Sequence, residues 1–345
     1  MQIDTHEISN PDLLVKNPRV SVLMITYNHE NYLSEAIDGV INQQSEFPFE
    51  LIIGEDASSD STLRVAIEYQ RKYPEIIRII HSSSNVGMHA NSLRIFKKAR
   101  GEYIAYCEGD DFWCDPDKIA RQVKMMENDR KFGIVHSDWT RSYLSGDKWK
   151  YNFSRSVHSR VPMRYLSGDI FATWHYPKIL RTCTILLRKD TMDEWYSSGL
   201  LNPNYHFGDS VLSSWITSRF MVGYIPAVMA VYRVSPNSAL RSGAKARVAF
   251  YKSALEFDTA ARAFFSKQGN YCPGFRWDSA AGLLLWGLRA RDYSAVRIAL
   301  ADFRQHFNFY SFIVTGYQTI AMRLPTLRRQ PRTSPGHASK AEQTC

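Results

Sequence analysis

Glu108-Gly109-Asp110-Asp111 places three carboxylates in four residues, directly after an apolar run rich in β-formers, Tyr103-Ile104-Ala105-Tyr106. That run reads as a short buried strand. In an open α/β sheet, ligands bind at the carboxyl ends of the strands. Carboxylates this crowded raise one another's pKa unless a cation sits between them. Oxygen ligands with no Cys-His pattern beside them suit Mg²⁺ or Mn²⁺. Gly109 lets backbone approach a ligand closely. The turn is therefore a candidate site for a metal and a diphosphate, with a solvated acidic turn ahead of Asp115-Pro116 as the competing reading. Asp209 is a second candidate. It follows Phe207-Gly208 and precedes a helical pattern, Ser210–Ser218, so it could accept a proton from a hydroxyl or simply cap that helix.

The elements that must position these groups alternate. Arg19 to Thr26 reads as the first buried strand, and Leu33, Ala36, Ile37, Val40 and Ile41 form an amphipathic helix to about Gln44. Phe49 to Glu55 is the second strand, and Asp60 or Ser61 caps a helix Thr62–Tyr73 stopped by Pro74. Strand Ile76 to His81, helix Met88 to Arg100, the strand before Glu108, helix Pro116–Asn128 and strand Gly133–Ser137 follow. This alternation predicts a mostly parallel sheet with helices on both faces. Arg181–Leu187 resembles a strand returning to the sheet. Val222–Val234 reads as strands interrupted by Pro226, and helical patterns run from Lys245 to about Phe303. Residues 1–18 look like a polar leader, 241–324 a helical extension and 325–345 a disordered basic tail.

Composition excludes several classes. The 345 residues are 44% hydrophobic and 22% charged, ordinary for a globular protein with a substantial core. Five scattered cysteines without a C-x-x-C pair argue for reduced thiols in a cytoplasmic setting and against a disulfide framework or zinc site. No signal peptide and no run of apolar residues long enough to span a membrane is evident. The formal charge of +9 is dispersed and accompanies no nucleic-acid motif. Both G-x-G-x-x-G and the P-loop are missing, so a nucleotide would be held through carboxylates and a metal. Lys148, Lys150, Arg155, Arg160 and Arg164 crowd an aromatic stretch with Trp174, His175 and Tyr176, which suits an anionic acceptor. Aromatic residues and arginines over 303–332 suit peripheral contact with the inner face of a membrane, or equally a core helix.

VSVLMITYNHENYL (Val20–Leu33), LIIGEDASSDST (Leu51–Thr62), NVGMHAN (Asn85–Asn91), GEYIAYCEGDD (Gly101–Asp111), Phe207-Gly208-Asp209 with Leu212, and Tyr232-Arg233-Val234 occur in an order and spacing that resemble the family 2 inverting glycosyltransferases. The resemblance covers about 18–240. It implies a GT-A fold over 19–240, with a nucleotide-sugar half (19–138) and an acceptor half (139–240), joined to the C-terminal helical extension. It also implies transfer from a nucleotide-diphosphate sugar, UDP-linked by frequency, to a saccharide or lipid-linked acceptor in cell-surface polysaccharide synthesis. By the same resemblance Thr26, Tyr27, Asn28, Asp56, Asn85, Gly87, Asn91, Glu108 and Gly109 line the donor. Asp110 and Asp111 hold Mn²⁺ or Mg²⁺, and Asp209 is the base. Asp138, Trp174 and His175 are weaker acceptor candidates. Two departures stand out: Glu108 replaces the first Asp of D-x-D, and Ser235 stands where the family often has His. A nucleotidyltransferase would show a glycine-rich basic loop after the first strand, where this chain has Thr26-Tyr27-Asn28-His29-Glu30. A non-catalytic carbohydrate-binding protein would need no base.

Overall fold

The computed structural model describes residues 5–145, 148–150, 156–159, 161–175, 180–234, 243–268, 271–272 and 274–306, with 309 and 313. In chain order these form His6–Ile8 (β1), Val20–Thr26 (β2), Leu33–Ile41 (α1), Phe49–Glu55 (β3), Thr62–Lys72 (α2), Ile77–His81 (β4), Met88–Phe96 (α3) and Tyr103–Tyr106 (β5). Phe112–Trp113 (β6), Lys118–Asn128 (α4), Phe132–Ser145 (β7), Lys148–Lys150 (β8), Ile185–Arg188 (β9) and Lys189–Ser197 (α5) follow. The chain continues with Asp209–Thr217 (α6), Met221–Val234 (β10), Ala244–Phe264 (α7), Gly274–Ala290 (α8) and Tyr293–Gln305 (α9).

The strands make one mixed sheet in the order β1-β4-β3-β2-β5-β9-β7-β10-β6, with β8 paired to β7. β4, β3, β2 and β5 run parallel. Alternation along them feeds two cores. Val20, Val22, Met24, Leu51 and Ile53 meet α1 and α4 on one face, while Leu23, Ile52, Ile80 and Ile104 meet α3, α5, α6 and α7 on the other. A third cluster joins α7, α8 and α9. Leu33, Ala36, Ile37 and Val40 of α1 are all buried, as their helical spacing predicts.

Two expectations change, and one strand takes a place the sequence left open. The segment read as a polar leader supplies β1, paired antiparallel with β4. Its Glu7 accepts from the buried Arg78 at 2.9 Å, and Arg78 also binds Glu50. A buried guanidinium needs such partners, which ties the leader to the sheet edge. Pro226 does not split the late strand, because register shifts around Ile225, Val228 and Ala230 absorb its missing N–H. The strand after α4 is not the neighbour of β5. β9 lies between β5 and β7 and is antiparallel to both.

Candidate active site

β2, β3 and β4 end level, Thr26 opposite Glu55 and Glu55 opposite His81, so their loops leave one edge of the sheet. β5 keeps bonding to β2 beyond its own end. Cys107 N–H donates to Leu23 O at 3.1 Å and Gly109 N–H to Ile25 O at 3.0 Å. A Cβ on Gly109 would sit 2.7 Å from Thr26 Oγ1 and 3.0 Å from His29 Nδ1, so only glycine fits this approach. Asp111 N–H then closes the turn on Glu108 O. Phe112 and Trp113 pair with Val231 and Ala230, which brings Arg233 onto the turn.

The turn concentrates negative charge. Burial, then the Asp110 carboxylate, pushes Glu108 up to about 7. Burial, then Asp110 and Glu108, holds Asp111 well above the usual carboxylate range. Thr182 hydrogen-bonds Glu108, yet Glu108 Oε2 is buried without a partner. Glu108, Asp111 and Cys183 offer ligand atoms within 4.8 Å of one another. Two carboxylates, an orphaned oxygen and mutual repulsion fit a divalent cation. Asp110 lies outside that trio but close enough to raise both neighbours.

Arg233 holds the turn from above. Its backbone N–H donates to Asp111 Oδ1 at 2.8 Å and its guanidinium to Asp110 O at 3.2 Å. The same guanidinium pairs with Glu35 of α1 and lies 4.7 Å from the Phe112 ring, beside Tyr32 and Trp149. Sequence reasoning missed Glu35 and Cys183 as site residues and gave Arg233 only as part of the Tyr232-Arg233-Val234 motif, without a role; a lone glutamate on a helix and a lone thiol carry no local signal.

At the end of β2, Thr26 Oγ1 and His29 Nδ1 are buried without hydrogen-bond partners among the described residues. Tyr27 is exposed. Asn28 takes a left-handed φ of 55°, and its Oδ1 accepts from Ser59 N at 2.9 Å while its N–H donates to Ser58 Oγ. Asp56 is buried and clasps the next loop, accepting Val86 N and Gly87 N at 2.9 Å each. Asn85 also accepts from Gly87 N, and Gly87 opens α3 with a φ of 85°. Asn91 is buried between Gly54 O and Arg94, so the structure gives it an internal bracing role instead of a place on the cleft wall.

Asp209 is the first residue of α6, and Gly208, not Asp209, is the N-cap. The carboxylate is exposed. One oxygen accepts from Ser210 N at 2.7 Å, and the charge lies close enough to raise Glu108. His89 faces Gly208 and hydrogen-bonds Tyr205 O at 2.7 Å.

The acceptor candidates lie elsewhere. Asp138 is buried and its oxygens are taken by Trp139 N, His158 N, Tyr224 Oη and Ser156 Oγ. Trp174 is buried among Phe275, Tyr271 and His175. Neither is available to stack on or bind a sugar: a polar group of that burial is satisfied internally, and the indole fills core. His175 faces Asp278 of α8 at 3.3 Å. Tyr176, Arg155, Arg160, Ser235 and nearly all of 307–332 lie outside the described residues. Among the described residues no helix is long and apolar enough to cross a membrane.

Comparison with known proteins agrees with this architecture. An uncharacterised protein of Mycobacterium tuberculosis H37Rv is 48% identical over 108 residues, 31% of this chain and 31% of that one. An uncharacterised glycosyltransferase of Methanocaldococcus jannaschii is 36% identical over 122 residues, 35% of this chain and 41% of its own. The matched part thus spans well under half the length of these relatives. A mannosyltransferase of Pyrobaculum calidifontis, solved with GDP-Man and Mn²⁺, superposes with a TM-score of 0.53 at 18% identity, covering 90% of this chain and 88% of that one. Residues 21–193, just over half of the 345, match the glycosyl transferase family 2 domain; the chain belongs to that family.

Proposed function

We propose that this chain transfers a sugar, with inversion, from a nucleoside-diphosphate sugar to a hydroxyl of a saccharide or lipid-linked acceptor. One observation carries the reading. Thr26 Oγ1 and His29 Nδ1 beside Gly109, and Glu108 Oε2 of the turn itself, are buried polar atoms without hydrogen-bond partners among the described residues, and Asp209 lies within electrostatic reach of the turn. Unsatisfied buried polar atoms point to a group that completes them, and an anion-plus-cation ligand would do so.

Glu108, Asp110 and Asp111 are the residues that would hold a divalent cation, which when bound supplies Lewis-acid stabilisation of a leaving diphosphate. Thr26 and His29 present hydrogen-bonding atoms beside Gly109, where backbone can approach the phosphates. Tyr27 and Asn28, with the loop clasped by Asp56, face the nucleoside. Asp209 stands free to take the acceptor proton as the hydroxyl attacks, since its exposed carboxylate has one oxygen without a partner among the described residues. Arg233 fixes the acidic turn in place.

The test is a donor screen of the full chain with UDP-, GDP- and dTDP-sugars, with Mn²⁺, Mg²⁺ or EDTA, following nucleoside diphosphate release. Cation-dependent release from one donor, lost in Asp110→Ala, supports the reading. Absence of release and of any donor-induced thermal shift with every cation would overturn it.

A further inference from the structure

Cys183 is held where a sulfur can meet the acidic turn. Its backbone carbonyl accepts Trp113 Nε1 at 2.8 Å, and the next carbonyl, Thr184 O, accepts Gln122 Nε2 at 2.8 Å. Two residues later β9 pairs with β5, Leu186 opposite Ala105. This anchoring places Sγ within 4.8 Å of carboxylate oxygens of both Glu108 and Asp111, and the thiol hydrogen-bonds Asp111. A buried thiol is often only a small apolar filler. A filler would leave Glu108 Oε2, buried and unpartnered beside it, with nothing to relieve it.

We propose that Cys183 is a further protein ligand of the cation site, adding one sulfur to its carboxylate oxygens. It rests on the reading above only in that a cation binds this turn. As the cation binds, the S–H bond breaks, its proton leaves to solvent base and a sulfur lone pair forms the metal bond; no electrons are transferred. A thiolate ligand selects borderline and soft ions, whereas Mg²⁺ demands oxygen. The site therefore takes Co²⁺, Zn²⁺ or Cd²⁺ in preference to Mg²⁺.

The experiment is a Co²⁺ titration of the full chain under reducing, anaerobic conditions, followed by near-ultraviolet absorbance. A sulfur-to-cobalt charge-transfer band in the wild type, absent from Cys183→Ser and present in Cys114→Ser, is the expected result. Zn²⁺ affinity by calorimetry should fall at least about tenfold in Cys183→Ser, with Mg²⁺ affinity little changed. Should Cys183→Ser fail to fold, cobalt-edge X-ray absorption of the wild type decides alone: a sulfur scatterer at about 2.3 Å is expected, and an all-oxygen shell overturns the proposal. A band that survives Cys183→Ser overturns it as well. Cation-dependent turnover with an all-oxygen shell would sink the sulfur ligand and leave glycosyl transfer standing; a sulfur signature without turnover would do the reverse.

Discussion

Individual residues at this site are defined by what they lack. Asp209 has a carboxylate oxygen without a partner among the described residues, and the role proposed for it rests on basicity. Asp209→Asn keeps the size and removes the basicity, so kcat should fall by roughly 10²–10⁴-fold with donor affinity, measured by calorimetry, unchanged. A loss confined to KM would assign it to binding. Gly109 is defined by contact: any Cβ there meets Thr26. Gly109→Ala should push the turn off β2 and weaken donor binding, read as a raised donor Kd with the fold intact by circular dichroism. Glycine's role was legible in the sequence because glycine is a local signal. Arg233 was legible only as a motif residue without a role, because its meaning comes from Asp111, 122 residues away.

At the scale of elements, the loop after β3 is held in a shape that side chains rarely adopt. Ala57 sits at a φ of 57°, and its N–H and that of Ser58 both donate to the buried Glu55 carboxylate. Ala57→Gly should change stability by no more than about 1 kcal/mol, since relief of the left-handed strain is offset by unfolded-state entropy. Ala57→Val should cost about 1–2 kcal/mol, read by denaturant unfolding. On β7 and beside β10, His136 and His158 pack against each other and Tyr224 in tilted and edge-on contacts. Burial lowers His136 from 6.5 to about 3 and His158 to about 4. Both are neutral when folded and bind protons more readily unfolded. Their contribution is complete above 6.5 and is lost as pH falls from there towards the folded values. For His136 the loss by pH 5 is about 2 kcal/mol. His136→Gln should flatten that part of the stability–pH curve.

For the whole molecule, the parallel half of the sheet builds the edge proposed for the donor and the late strands deliver the groups that complete it. β6 and β10 bring Arg233, β9 brings Cys183, and the α6 start brings Asp209. A cation that binds only the folded chain stabilises it by mass action. Mn²⁺ at about 100 times its Kd should add about 2.7 kcal/mol, seen as a raised Tm that EDTA reverses. Glu108→Gln with Asp111→Asn should abolish that rise.

The sequence alone determined the alternation of strands and helices from Val20 to Asn128, the carboxylate turn at the end of β5 and the family. These are written in local periodicity, in glycine and proline placement, and in short motifs that fold within themselves. Tertiary structure decided what depends on pairing between distant segments: the leader joining as β1, β9 inserted between β5 and β7, and the unbroken β10. It also decided which polar residues face the cleft. Asp138 and Trp174 carry the right chemistry for an acceptor site in one dimension and are spent internally in three. Cys183 looks isolated in the chain and Arg233 has no role within its own motif; both meet the turn only because strand order is a long-range choice, fixed by burial on both faces of the sheet.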